Sequence, residues 1–253
     1  MKKIIKEDKD KGIIQITVCD ERWYSKQNEE ETKYVPSVTW ITSYYPKGIA
    51  YHKWLAQKGW DEAEALKIAA GDKGSKVHSA IVDLLDGNEV TMEAQYFNNS
   101  TEEMEELTLE EYEALMSFVA WWRSLVKPRI LARELIVFDD DFNYAGTVDL
   151  ICEINGIPWV IDFKTSQYIW PSHELQVSAY KNVIDKDNVT EHKIGILQLG
   201  FRKNKRKYKF TEIKDKFDLF LAAKTIWSEE CSKIEPLKKD YPTSLTLRED
   251  KNA

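Results

Sequence analysis

The chain has 253 residues, 43% of them hydrophobic and 12% aromatic, and its 43 acidic against 36 basic side chains leave a formal charge of -7. That length bounds it to one domain or a little more. The apolar content, with only ten glycines and seven prolines, excludes disordered and fibrous classes. No run of about 18 uncharged apolar residues occurs, and Met1 to Lys11 mix Lys with Glu and Asp, so neither a membrane span nor a secretory signal is expected. Cys19, Cys152 and Cys231 lie far apart without a C-x-x-C pair. Neither a disulfide framework nor a cysteine-ligated metal cluster is expected, and a reducing, cytoplasmic setting fits. The negative charge confines any nucleic-acid contact to one region.

In chain order, Ile13, Ile14, Ile16 and Val18 predict a strand over Gly12 to Val18, followed by a polar loop from Ser25 to Lys33. Ser37 can cap a helix. Beyond it come Trp40, Tyr44, Tyr45, Tyr51, Trp54 and Trp60, aromatics that serve either as core or as surfaces for bases. Asp61 to Leu85 predicts two helices broken at Gly71, the second carrying Val77, Ile81, Leu84 and Leu85. The acidic stretch Glu102 to Glu113 reads as a solvated face and as favourable charge at a helix start. It leads into a helix with Tyr112, Leu115, Met116, Val119, Trp122 and Leu125 on one side, stopped by Pro128.

Past Pro128 the period becomes strand-like over Ile130 to Phe138, Tyr144 to Ile154 and Ile157 to Lys164, the last two joined by Asn155-Gly156, a strong hairpin signal. A helix over Ser172 to Val183, a strand over Lys193 to Phe201, a basic turn, a strand over Lys207 to Ile213 and a helix over Lys216 to Ile234 complete the chain. The expected fold is α/β, a mixed central β-sheet flanked by helices, in one domain. Within it, 1–70 forms an N-terminal strand and helical elaboration, 71–213 a core, and 214–253 a C-terminal helix and tail.

The strand Trp159 to Lys164 is apolar until Asp162 and Lys164, which share one face because side chains alternate, while Phe163 points to the other. Burial alone would demand Val or Ile there, and such a break in a local rule tends to be functional. Folding the hairpin about Asn155-Gly156 sets Asp149 opposite Asp162. Two carboxylates so close need a proton or a hard cation such as Mg²⁺ between them; an ion pair of Asp162 with Lys164 at a strand end is the structural alternative. In the next helix Gln176 and Tyr180 share a face and can reach a phosphate or the lysine. His78 flanks an apolar stripe, as a half-buried histidine or as a ligand.

Gly74-x-x-x-His78, Gly146-Thr-Val-Asp149, Asp162-Phe-Lys164-Thr165 and Gln176-x-x-x-Tyr180, in this order, resemble the RecB-type exonuclease branch of the PD-(D/E)XK nuclease superfamily over residues 36–184. The segment Pro36-Ser-Val-Thr39 with Trp54 resembles the leader of phage relatives and of the mitochondrial genome-maintenance exonuclease. The resemblance implies a restriction-endonuclease-like core. It implies that His78, Asp149, Asp162 and the backbone carbonyl of Phe163 bind metal, that Lys164 is the catalytic lysine, and that Gln176 and Tyr180 support it. Glu134 matches an acidic position that in some relatives assists the site or a second metal, and is otherwise a surface strand glutamate. Relatives with an iron–sulfur cluster use four cysteines, so no iron–sulfur cluster is expected.

The expected function is a Mg²⁺- or Mn²⁺-dependent deoxyribonuclease, an exonuclease acting at DNA ends in recombination, repair or phage DNA processing. A structure-specific endonuclease and a non-catalytic nucleic-acid-binding module on the same fold remain alternatives. Expected partners are DNA, single-stranded or end-bearing duplex, with a single-strand-binding or annealing protein and no membrane. Five basic residues, Arg202, Lys203, Lys205, Arg206 and Lys207, could grip phosphates or simply solvate a turn.

Overall fold

The computed structural model describes residues 3–9, 11–18, 21–27, 32–186, 190–231 and 236. Cys19 and the predicted end of the last helix at 232–234 lie outside them. A five-stranded sheet organises the chain, in the order β11 (Tyr208–Ile213), β10 (Lys193–Leu199), β9 (Ile157–Lys164), β8 (Tyr144–Ile154), β7 (Arg129–Asp139). β9 and β10 run parallel and the other neighbours antiparallel, which is the mixed central sheet expected. The tight hairpin follows from its turn: Asn155 and Gly156 take φ of 53° and 77°, the left-handed pair that matches the right-handed twist of the flanking strands. The parallel pair needs a long crossover. Helix α5 (Pro171–Lys186) supplies it.

Helices cover both faces of the sheet, which explains the nearly unbroken apolar runs of β8, β9 and β10. On one face Val148, Ile151, Val160 and Ile196 meet α5, α1 (Val38–Ser43) and α6 (Phe217–Cys231) through Leu175, Ile41 and Phe220. On the other, Leu150, Ile161, Phe163 and Leu197 meet α3 (Trp60–Leu85) and α4 (Leu109–Ser124) through Val77, Ile81, Phe118 and Trp121. Each such buried side chain contributes about 1.5–3 kcal/mol.

Four expectations need correction. Helix α3 is a single rod of 26 residues with no break at Gly71; an interior glycine costs about 1 kcal/mol, less than the burial of Val77, Ala80 and Ile81 returns. The polar stretch expected as a loop contributes to two strands, β3 (Glu21–Gln27) and β4 (Thr32–Pro36), which join β1 (Lys3–Asp8) and β2 (Ile13–Val18) in a four-stranded antiparallel sheet. Residues 28–31 lie outside the described set. In α4 the buried stripe runs through Leu115, Phe118 and Trp121, leaving Met116 exposed. Within the acidic run Glu111 is buried, closing a capping box with Thr108 and pairing with Lys76 at 3.1 Å. Two short strands, β5 (Gln95–Phe97) and β6 (Met104–Glu106), form a further hairpin.

Ser37 does cap α1, its hydroxyl accepting from the Trp40 N–H at 3.1 Å. Trp40 packs edge-on between Trp23 and Trp227, so this aromatic is core. Trp60, at 67% exposure, is not. The helix α2 (Ile49–Lys58) between them buries none of its residues. The N-terminal sheet is tied to β8 near its start: Tyr24 Oη lies 2.9 Å from Thr147 Oγ1, and Ser37 bridges to Ala145. Among the described residues no helix is long and apolar enough to cross a membrane.

Candidate functional site

Pairing between β8 and β9 stops at Leu150 and Ile161. Asp149 and Asp162 follow at the next position, where the ladder opens: the Phe163 N–H donates to Asp149 Oδ2 at 2.7 Å, in place of a strand carbonyl. A backbone donor must find a partner, and here a side chain provides it, which spreads the two strands and leaves room between them. From α3, His78 reaches the same gap, with Nδ1 3.3 Å from Asp149 Oδ1 and Nε2 3.1 Å from the Phe163 carbonyl oxygen. Its ring rests edge-on against Phe163.

Glu134 comes from β7, between Arg133 and Leu135, which face Leu150 and Val148. It therefore stands level with Asp149. Its φ of 49° puts a non-glycine residue in the left-handed region within a strand, a strained conformation that clusters at functional sites. One ligand atom each from His78, Glu134 and Asp149 fall within 4.8 Å of one another, the convergent metal-ligating set among the described residues.

Asp162 is only 1% exposed and is held by other partners. Its Oδ1 accepts from Gln176 Nε2 at 2.9 Å. Its Oδ2 lies 2.7 Å from Lys164 Nζ, close enough for an ion pair, yet no donor is aligned on it for a hydrogen bond. Lys164 Nζ donates to Gln176 Oε1 at 3.1 Å, and Gln176 Nε2 also lies 3.0 Å from Tyr180 Oη. One carboxamide thus fixes the acid, the base and the phenol. Gly146 makes this possible, since a Cβ there would sit 2.4 Å from Tyr180 Cε1.

The electrostatics are those of a site short of positive charge. Burial pushes the Asp162 carboxyl up, Lys164 opposes and Asp149 reinforces, with the result at about 6. Burial also acts to raise Asp149, but His78, Lys164 and the Phe163 N–H outweigh it and hold its pKa below the ordinary value. For His78 burial disfavours the cation, yet the Asp149 carboxylate prevails and raises its pKa. Both His78 nitrogens face oxygen atoms, so the doubly protonated ring suits this geometry. A divalent cation satisfies the same oxygens while leaving the imidazole neutral, and the mixed N,O donor set with the unaligned Asp162 Oδ2 fits such an ion.

These groups line an open cavity of about 2010 Å³ whose walls include Arg22 and Gln15 of the N-terminal sheet, Lys73 of α3, and Trp170, His173 and Arg202. Sequence reasoning did not single out His173; burial, with Lys164 and Lys47 nearby, keeps its ring neutral with a pKa of about 3. Of the five basic residues at 202–207, Arg202 alone lines the cavity. Its guanidinium pairs with Glu110 at 3.1 Å and its N–H donates to Gln167 Oε1. Lys203, Lys205, Arg206 and Lys207 are exposed on the β10–β11 turn.

Residues 17–244 match the family model described as the PD-(D/E)XK nuclease superfamily. No curated protein matches the chain.

Proposed function

Because the chain belongs to the PD-(D/E)XK nuclease superfamily, and its mixed sheet is the restriction-endonuclease-like arrangement of that superfamily, we propose that it is a divalent-metal-dependent deoxyribonuclease of the RecB-type branch. We take it to degrade DNA from ends, as an exonuclease in recombination, repair or phage DNA processing, beside a single-strand-binding or annealing protein. The observation that carries this reading is the convergence of His78, Glu134 and Asp149 at the gap where β8 and β9 part, with the Asp162–Lys164 pair lining the same cavity.

In this reading His78, Asp149, Asp162 and the Phe163 carbonyl hold the ion, with Glu134 joining from β7. The imidazole makes Mn²⁺ at least as suitable as Mg²⁺. Either ion, when bound, lowers the pKa of a coordinated water and offsets charge on the phosphodiester. The ammonium of Lys164 orients the attacking water and stabilises the charge that develops on the phosphoryl oxygens. Gln176 keeps that ammonium beside Asp162, and Tyr180 keeps Gln176 in place.

Linear DNA labelled at either end, incubated with Mn²⁺, Mg²⁺ or EDTA, tests the activity and its polarity. Mononucleotides or short products released with metal and not with EDTA are expected, with circular single strands left whole; a cut circle would move the reading to an endonuclease. Lys164→Ala should lower cleavage by about a hundred- to a thousandfold. Robust hydrolysis by folded Asp162→Ala protein would refute the site. Replacing Arg202, Lys203, Lys205, Arg206 and Lys207 by Ser should flatten the salt dependence of DNA binding, each lost phosphate contact reducing the slope by about one.

A further inference from the structure

The loop from Lys164 to the start of α5 carries two large aromatics in solvent, Tyr168 at 57% and Trp170 at 47% exposure. Most of the described tryptophans and tyrosines do otherwise, packing into or against one of the cores. Here the two rings lie against each other, centroids 5.9 Å apart and tilted by 42°. The loop is held in this shape by polar bonds that leave the rings out: Ser166 Oγ donates to the Tyr168 carbonyl at 2.8 Å, Gln167 Nε2 to the Gly200 carbonyl at 3.0 Å, and the Trp170 N–H to His173 Nδ1 at 3.4 Å. Trp170 lines the same cavity as Lys164 and Asp162. On the outer side the Lys203 ammonium covers the Tyr168 ring at 4.5 Å from its centroid, and Lys205 and Arg206 follow on the same turn.

We infer that Tyr168 and Trp170 form a ledge on which unpaired bases of a DNA strand stack as its backbone enters the site, so that the substrate is single-stranded at the point of entry. This rests on the nuclease reading above and adds the strand form to it. Every base has a π-face, so stacking on an aromatic ledge is independent of sequence. A duplex keeps all but its terminal base faces inside its own stack, so along its length it has none to offer a flat side chain on a cavity rim. Tyr168 already has Lys203 on one face, which leaves Trp170 as the free platform and Tyr168 as its buttress. Lys203, at the edge of the basic turn, borders the ledge and can hold the backbone of an approaching strand.

Fluorescence anisotropy in EDTA, where nothing is cut, tests the ledge with three labelled probes of equal length: a single strand, the same strand lacking all its bases, and a blunt duplex. Trp170→Ala should weaken the single strand by roughly five- to a hundredfold and leave the abasic strand and the duplex unchanged, while Trp170→Phe keeps most of the affinity. Unaltered single-strand binding by Trp170→Ala, or an equal loss on the abasic strand or the duplex, overturns the inference. A parallel cleavage assay of the wild type with Mn²⁺ separates the two readings. Absence of cleavage there counts against the nuclease, while the three-probe comparison still decides the ledge.

Discussion

The two ends of the β8–β9 hairpin obey opposite rules. At the turn, Asn155 and Gly156 supply the backbone conformation required, Ile154 faces Ile157, Cys152 faces Trp159, and the strands hydrogen-bond in register. At the other end the ladder opens, an acid side chain takes a backbone donor, and two carboxylates, an imidazole and an ammonium lie where the pattern of burial calls for aliphatic residues. The first end makes the fold and the second makes use of it. Stability is given up locally at the open end and recovered from the apolar faces on either side of the sheet.

The sharpest way to break this contrast is Asp162→Asn. Cleavage should fall by about a hundred- to a thousandfold, yet in EDTA at pH 7.5 the variant should unfold at a higher temperature than the wild type. The fold raises the Asp162 carboxyl from 3.8 to about 6, so its favourable contribution is complete below the lower value and is lost as pH rises through the upper one. The advantage of the variant should therefore close as pH falls from about 6 toward 4, and saturating Mn²⁺ should reverse the order. A metal-free variant less stable than the wild type at pH 7.5 would show that the Lys164 pairing outweighs desolvation.

Gly146→Ala should have an intermediate effect. The new methyl drives Tyr180 off Gln176, costing about 1–3 kcal/mol and lowering cleavage several-fold. Thermal unfolding and the DNA assay would read both, and the stability cost should shrink in a Tyr180→Ala background. The smallest effect belongs to the turn. Gly156→Ala forces an alanine into the left-handed region at a cost of about 1 kcal/mol, visible as a modest drop in unfolding temperature with cleavage unchanged. Lost cleavage there would tie the two ends together.

The strands from Ile130 onward were legible because period-two burial and the Asn-Gly turn are local signals, and five of them form the sheet with boundaries shifted by a residue or two. His78, Glu134, Asp149, Asp162, Lys164, Gln176 and Tyr180 line one cavity, the hairpin and helix members because register and periodicity are arithmetic, whereas of the basic residues at 202–207 only Arg202 reaches it. What was hidden depends on tertiary partners. β3 and β4 lie in a polar stretch whose strand character comes from pairing with β2 and with each other. Helix α3 passes Gly71 because its second half is clamped in the core. No residue pattern announces that Glu134 takes a left-handed backbone, or that its carboxylate rather than that of Asp162 falls with His78 and Asp149 within 4.8 Å.

The crossover β9–α5 places Asp162, Lys164, Tyr168, Trp170, Gln176 and Tyr180 on nineteen consecutive residues, whereas His78, Glu134 and Asp149 arrive from three separate stretches. One half of the site is therefore contiguous in the chain and can assemble early, with little loop entropy lost. The other half depends on distant parts of the chain meeting: Glu134 and Asp149 come together through the pairing of β7 with β8, and His78 joins them only where the long rod of α3 lies against the sheet.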